Sequence, residues 1–261
     1  MHVVERGAGT PLVLLHGFGA DHRLLLPLDG AIERAGQWRR LYVDLPGHGQ
    51  TPAGGVASTE DVVAAVDAEI ARRLGDEPFA ILGNSFGAMI ARRIAHDRRD
   101  QVLGLATVAG VFIAEHDHRT VPERVVLVED AAVVAGLGDA AEAYAEMAVF
   151  QTAENAQAFR EHAEPGEAAA DHDAMGRIAE RYELAEMPEE ASPEPFVAPS
   201  LFVTARQDQV VGYEDAWARL EHYPRATFSV LDAAGHNVHL DRPPLVGALV
   251  TDWLERVVAA R

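Results

Sequence analysis

The pentapeptide Gly83-Asn84-Ser85-Phe86-Gly87 is the segment that most constrains how this chain can fold. It closes the apolar run that begins at Phe79-Ala80-Ile81-Leu82 and opens a stretch in which Met89, Ile90 and Ile94 recur at helical spacing. A strand that enters a helix through so short a turn forces its middle residue into a strained backbone conformation, and flanking glycines remove side chains that would clash there. Ser85 is then expected to project its hydroxyl beyond the end of the strand. Taken alone, the same residues also fit a glycine-bounded turn with a solvated serine.

The surrounding pattern supports a strand-turn-helix reading. Short apolar runs recur at 11–15, 40–44, 79–83 and 102–108, separated by segments long enough for a helix. One of these, 59–74, places Val62, Val63, Val66, Ile70 and Leu74 on a single helical face. The strand signal returns after Pro199 with Leu201-Phe202-Val203 and with Thr227 to Leu231, ahead of a closing helix near 243–258. With a short first strand at 2–5, the order predicts a mostly parallel sheet of about seven strands with helices on both faces. Between 113 and 196 no strand pair is expected. That stretch is Ala- and Glu-rich with helical spacing at Ala143, Met147 and Phe150 and again at Ile178 and Tyr182, and it leaves through the proline-rich run Pro188 to Pro199, which lacks the backbone donors and flexibility of a helix. The predicted organisation is an α/β core, 1–112 and 197–261, with a helical cap inserted at 113–196. At 48% hydrophobic residues the chain has the apolar material for such a core.

A serine hydroxyl becomes a competent nucleophile only when a base takes its proton, so the elbow reading requires a histidine. Gly235-His236 supplies one, on a loop after the last expected strand; His239 is a competitor, beside Leu240 and Asp241 where packing or hydrogen bonding suits it better. The imidazole needs an acceptor that fixes its tautomer, and Asp208, following the strand at 201–205, fits, with Glu214 and Asp215 farther along on an expected helix. An aspartate at such a place also serves as a helix cap. Acyl transfer further requires backbone donors for the developing oxyanion. The N–H of Phe86, next to Ser85, is one candidate, and that of Phe18 in His16-Gly17-Phe18-Gly19 the other, with Gly19 as the alternative.

These residues together resemble the α/β-hydrolase superfamily. His16-Gly17, Asp44-Leu45-Pro46-Gly47-His48-Gly49, the Ser85 pentapeptide, Asp208 and Gly235-His236 match its landmarks in order, from about residue 3 to 257. The resemblance implies a Ser85-His236-Asp208 triad and structural roles for Asp44 and His48. Asn84 is similar to the residue before the nucleophile in the meta-cleavage product hydrolases, which split C–C bonds. Asn237 stands where those enzymes commonly carry tryptophan, and His16-Gly17-Phe18-Gly19 replaces their Gly-rich run. Ser85 also departs from the elbow aspartate of haloalkane dehalogenases and epoxide hydrolases, whereas cofactor-free haloperoxidases share the serine triad. The implied activity is hydrolysis of a small-molecule carboxylic ester or lactone through an acyl-enzyme. The alternatives are a C–C hydrolase, for which Arg119, Arg124, Arg177 or Arg181 would have to bind a carboxylate, and a hydrolase-derived small-molecule receptor.

Charge and composition narrow the partners. A formal charge of −19 repels phosphate backbones and anionic membranes, so no nucleic acid or membrane partner is expected. The absence of cysteine removes disulfides, thiolate metal sites and thiol nucleophiles. In His116-Asp117-His118 adjacent side chains on an extended segment would point to opposite sides, and with no companion ligands it reads as surface loop, so no metal and no cofactor is expected. Residues 1–7 show no basic start or apolar run, and no stretch approaches the ~20 apolar residues of a membrane span. Cytoplasmic residence is the corresponding expectation, and oligomeric state has no signal in the sequence.

Overall fold

The structure, a computed structural model, describes residues 1–261. Seven strands form one sheet: β1 (Val3–Arg6), β2 (Thr10–Leu15), β3 (Trp38–Val43), β4 (Phe79–Asn84), β5 (Val102–Val108), β6 (Ser200–Ala205) and β7 (Ala226–Leu231), in the spatial order β1-β3-β2-β4-β5-β6-β7. Only β1 runs antiparallel, against β3. Every other pairing is parallel. Parallel strands covered on both faces need apolar side chains at consecutive positions, and β4 and β6 are accordingly buried at every residue. The edges differ. β7 is half-buried throughout and β1 exposes Glu5 and Arg6.

The helices in chain order are α1 (Asp29–Arg34), α2 (Thr59–Leu74), α3 (Phe86–Asp97), α4 (Ala131–Ala135), α5 (Ala141–Met147), α6 (Ala153–His162), α7 (Glu164–Ala169), α8 (His172–Ala179), α9 (Pro188–Ala191), α10 (Glu214–Trp217), α11 (Val238–Asp241) and α12 (Pro243–Ala259). None is long and apolar enough to cross a membrane. The spacing-based face of α2 is the buried one, and its start is fixed by a reciprocal cap. Ser58 Oγ accepts the Asp61 N–H at 3.2 Å while the Asp61 carboxylate accepts the Ala57 N–H and the Ser58 hydroxyl. By contrast α3 is buried almost all round, because β4 and β5 cover one side while α2 and α9 cover others.

Between β5 and β6 the helices are short, the longest being the ten residues of α6. One isolated parallel bridge, Val128 with Phe150, is the only strand-like pairing there. Two local expectations are corrected. Ile178 and Tyr182 do not share a helical face, since α8 ends at Ala179 and Tyr182 lies past the turn at Glu180 and Arg181. The run from Pro188 is not wholly non-helical either: Pro188 opens α9, where the missing N–H of a first-turn proline leaves no bond unmade.

Chain order and spatial order diverge at one place in the sheet. From β2 the chain moves outward to β3, and from β3 it returns to β4 on the other side of β2. The loops leaving β2 and β4 therefore part in opposite directions and open a crevice at their carboxyl ends. His16-Gly17 follows β2 and Ser85 follows β4.

Candidate active site

Ser85 adopts φ 50° and ψ −115°, one of three non-glycine residues in the left-handed region. The others, Ala109 and Ala233, follow β5 and β7, so the backbone strain is concentrated at the carboxyl edge of the sheet. Strain at Ser85 persists because its surroundings leave no room to relax. A Cβ on Gly83 would lie 2.3 Å from Gly87 O, and one on Gly87 2.4 Å from the carbonyls of Leu15 and His16. The elbow is also tied to β5: the Ser85 N–H and the Asn84 side-chain amide both donate to Val108 O, each at 3.0 Å.

Three residues far apart in sequence meet beyond that edge. His236 Nε2 lies 2.9 Å from Ser85 Oγ, and its Nδ1 lies 3.0 Å and 3.2 Å from the two Asp208 carboxylate oxygens. Since Asp208 accepts, Nδ1 carries the proton and Nε2 is left as an acceptor facing the serine hydroxyl. Asp208 is fully buried and is pinned by the N–H groups of Val210 and Val211. His239 is elsewhere: fully buried, it donates from Nε2 to Leu24 O at 2.9 Å, and burial pushes its pKa down to about 4.

The loop after β2 is organised by two neutral histidines. His16 accepts the Leu45 N–H at Nε2 and donates from Nδ1 to Gly17 O at 2.7 Å; burial, then its neighbour His48, pushes its pKa down to about 3. In a trans peptide the C=O and the following N–H point opposite ways, so a bond that draws Gly17 O toward His16 turns the Phe18 N–H outward. That N–H has no acceptor within the chain. Gly19 differs, because its N–H donates to His48 Nε2 at 3.1 Å. Of the two alternatives after β2, Phe18 is therefore the free donor. Phe86, as the first residue of α3, has no carbonyl one turn back and offers the other. Gly17 admits this approach: a Cβ there would lie 2.8 Å from Asn84 Oδ1 and 3.1 Å from Ser85 Cβ.

Ser85, His236, Phe18 and Asn84 face a cavity of about 750 Å³. Its far wall comes from the segment between β5 and β6. Tyr182 packs its ring against both Phe18 and Phe86, at centroid distances of 5.7 and 5.1 Å, and burial pushes its hydroxyl up to about 12. Of the four arginines considered for carboxylate binding, Arg119 and Arg181 border the cavity and Arg124 and Arg177 do not. Arg119 is already engaged, donating to the carbonyls of Ile113, Ala114 and Val210.

Three further residues shape the surroundings of the site, and of these only Asp241 was given no role from the sequence. Asp241 accepts the Gly235 N–H and the Asn155 side-chain amide, both at 2.8 Å, which joins the His236 loop to α6. His116 borders the cavity, on a 3-10 turn where an extended segment was expected; His116 and His118 are mostly exposed. Asp44 accepts from His2 Nδ1, His22 Nδ1, the His22 N–H and the Gln50 N–H, which fills its carboxylate and fixes the turn through His48. Despite burial, which acts to raise it, these bonds hold the Asp44 carboxyl below the usual range.

A mostly parallel sheet with a serine-histidine-carboxylate constellation at its carboxyl edge defines a hydrolase of the α/β type. The chain belongs to the alpha/beta hydrolase family, whose model matches residues 12–248. It resembles the biotin biosynthesis bifunctional protein BioHC of Cellvibrio japonicus, 39% identical over 41% of this chain and 20% of that one. It is also 32% identical to the (E)-2-((N-methylformamido)methylene)succinate hydrolase of Acinetobacter baylyi, over 45% and 44%. Against the pimeloyl-[acyl-carrier protein] methyl ester esterase of Shewanella woodyi it is 35% identical, over 45% and 43%. The match thus spans less than half the length of each of these curated relatives. An alpha/beta superfamily hydrolase from Oenococcus oeni shares the fold across 98% of this chain and 96% of its own, with TM-score 0.92 and 23% identity. An esterase from Exiguobacterium antarcticum does so over 97% and 95%, with TM-score 0.73 and 18% identity.

Proposed function

We propose that this hydrolase cleaves a small-molecule carboxylic ester or lactone through an acyl-enzyme on Ser85. The observation that carries the reading is the single imidazole of His236 bridging Ser85 Oγ and the Asp208 carboxylate at hydrogen-bond distance. In the forward step His236 Nε2 takes the hydroxyl proton as Ser85 Oγ bonds to the carbonyl carbon. The carbonyl oxygen becomes an oxyanion facing the N–H groups of Phe18 and Phe86, and Asp208 stabilises the imidazolium through Nδ1. Collapse of the tetrahedral intermediate breaks the bond to the alkoxide, which receives the proton from His236. Water then repeats the sequence on the acyl-enzyme and regenerates Ser85.

In this reading residues 113–196 act as a cap over a core of 1–112 and 197–261, and select the substrate. The esterase name of the Shewanella woodyi relative agrees with ester chemistry. C–C cleavage of a dienoate would need a cation for the substrate carboxylate; of the two arginines that border the cavity, Arg119 already spends three donors on main-chain carbonyls and Arg181 is exposed to solvent. Asn84, the residue that favours that chemistry, is engaged with Val108 O. The test is a parallel screen of purified protein against esters of graded acyl length, lactones and a vinylogous diketo acid. A kcat/KM for the diketo acid more than about tenfold above the best ester or lactone would reverse the assignment.

A further inference from the structure

Glu167 is a charged group in the cavity wall for which the chain provides no partner. It lies on α7, borders the same cavity as Ser85, and is half-buried. Its carboxyl makes no hydrogen bond or ion pair; burial first, then the neighbouring carboxylates of Glu164 and Glu146, raise its pKa above the ordinary value. Partly dehydrated carboxylates are normally matched by donors or cations from the protein, as Glu189 is by Arg92. Glu167 has only the cavity to draw on.

The position of that carboxylate is fixed by packing. Gly166, the preceding residue, sits so close to the loop beyond Phe18 that a Cβ would lie 2.6 Å from Asp21 N and 2.9 Å from Ala20 C. Arg23, paired with Asp21, donates to Pro165 O at 3.1 Å on the same helix. Two independent contacts thus hold α7 against the loop that carries the Phe18 N–H. Two arginines border the cavity and neither pairs with Glu167: Arg119, whose bonds to three carbonyls aim it at the chain, and Arg181, which is exposed.

Resting on the ester-hydrolase reading above, we propose that Glu167 is a specificity-determining residue and that the substrate is an ester carrying an ammonium group, which Glu167 pairs. An anionic substrate would place two like charges in a partly dehydrated space, whereas an ammonium supplies the missing counter-charge. The overall charge of −19 acts in the same direction by drawing cations toward the protein.

The test compares isosteric esters that differ in charge. Acetylcholine is paired with 3,3-dimethylbutyl acetate to put the cation on the alcohol side, and methyl 4-aminobutanoate with methyl pentanoate to put it on the acyl side. For one pair, the wild-type kcat/KM for the cationic ester is expected to exceed that for the neutral one by about tenfold, the effect of one well-placed charge pair. Glu167→Gln should bring that ratio close to one, and Glu167→Lys should invert it. Because each ratio is internal to one protein, partial loss of folded material does not alter it. A wild-type ratio at or below one for both pairs overturns the proposal, as does a ratio that survives Glu167→Gln. If no ester is hydrolysed the Ser85 reading fails separately, and calorimetry with choline then decides: equal Kd for wild type and Glu167→Gln removes Glu167 from the role.

Discussion

The sheet with its flanking helices and the segment between β5 and β6 bury their residues by different means. In the sheet, strands such as β4 and β6 are apolar at consecutive positions and lock into register with neighbours on both sides. In the intervening segment the helices are short, and a small cluster built on Leu137, Tyr144 and Phe159 closes only by borrowing Ala20, Leu24 and Leu240 from outside it. Ile178, Leu184 and Phe196 join the segment to the main core, and one further tie is ionic: Arg92 on α3 and Glu189 on α9 form a buried pair, joined by the Tyr223 hydroxyl. A rigid sheet edge suits groups that must hold hydrogen-bond geometry, while a segment pinned at a few points suits the wall that meets a variable substrate.

The largest effect should come from the sheet edge. Ser85→Ala is expected to abolish labelling by an organophosphonate and to lower kcat by about 10⁴-fold or more, since nothing else stands at the elbow. Labelling that survives would move the nucleophile away from the rigid region and break the contrast. His236→Ala should cost about 10³-fold or more in kcat, and Asp208→Asn less, with KM nearly unchanged in each. His239→Ala is expected to act on stability through its bond to Leu24 O, with kcat altered modestly; a kcat as low as that of His236→Ala would mean the base is misassigned.

On the other side of the comparison, Glu189→Gln leaves the buried Arg92 guanidinium without its counter-charge and should cost about 3–5 kcal/mol in urea unfolding. A loss below about 1 kcal/mol would show that the segment is not fastened to α3 by this pair. The smallest effect concerns Asp241, where the two regions meet. Its carboxyl is raised to about 6, by burial above all, so its folded pKa exceeds the unfolded one. The stability it contributes is therefore present below its unfolded pKa, near 4, and is lost as pH rises through about 6. Wild type should lose stability relative to Asp241→Asn between pH 4 and 7; parallel stability curves would refute the shift.

How far the sequence could be read follows the same division. The core strands were legible because burial on both faces writes itself as consecutive apolar residues, and α2 because one-sided burial writes itself at helical spacing. Ser85, Asp208 and His236 could be picked out as candidates because each sits where an apolar run stops, in a fixed chain order. Tyr182 misled, since an aromatic four residues after Ile178 looks the same whether the helix continues or ends at Ala179. Glu167 gave no signal at all: in an Ala- and Glu-rich stretch it is one glutamate among many, and only packing separates it from those on the surface.

By itself the sequence determined the class of fold, the positions of the strands and which serine stands at the elbow, because backbone propensity and burial act within a few residues of each letter. The tertiary structure decided which N–H groups remain free, since His16 and His48 reach their partners only after β2 and the turn at Asp44 come together. It also fixed the contacts of the two histidines, His236 against Ser85 Oγ and His239 against Leu24 O. Hydrogen bonds are directional and act over about 3 Å, so groups 151 residues apart in the chain, as Ser85 and His236 are, acquire a relation only when the sheet brings their loops to one edge.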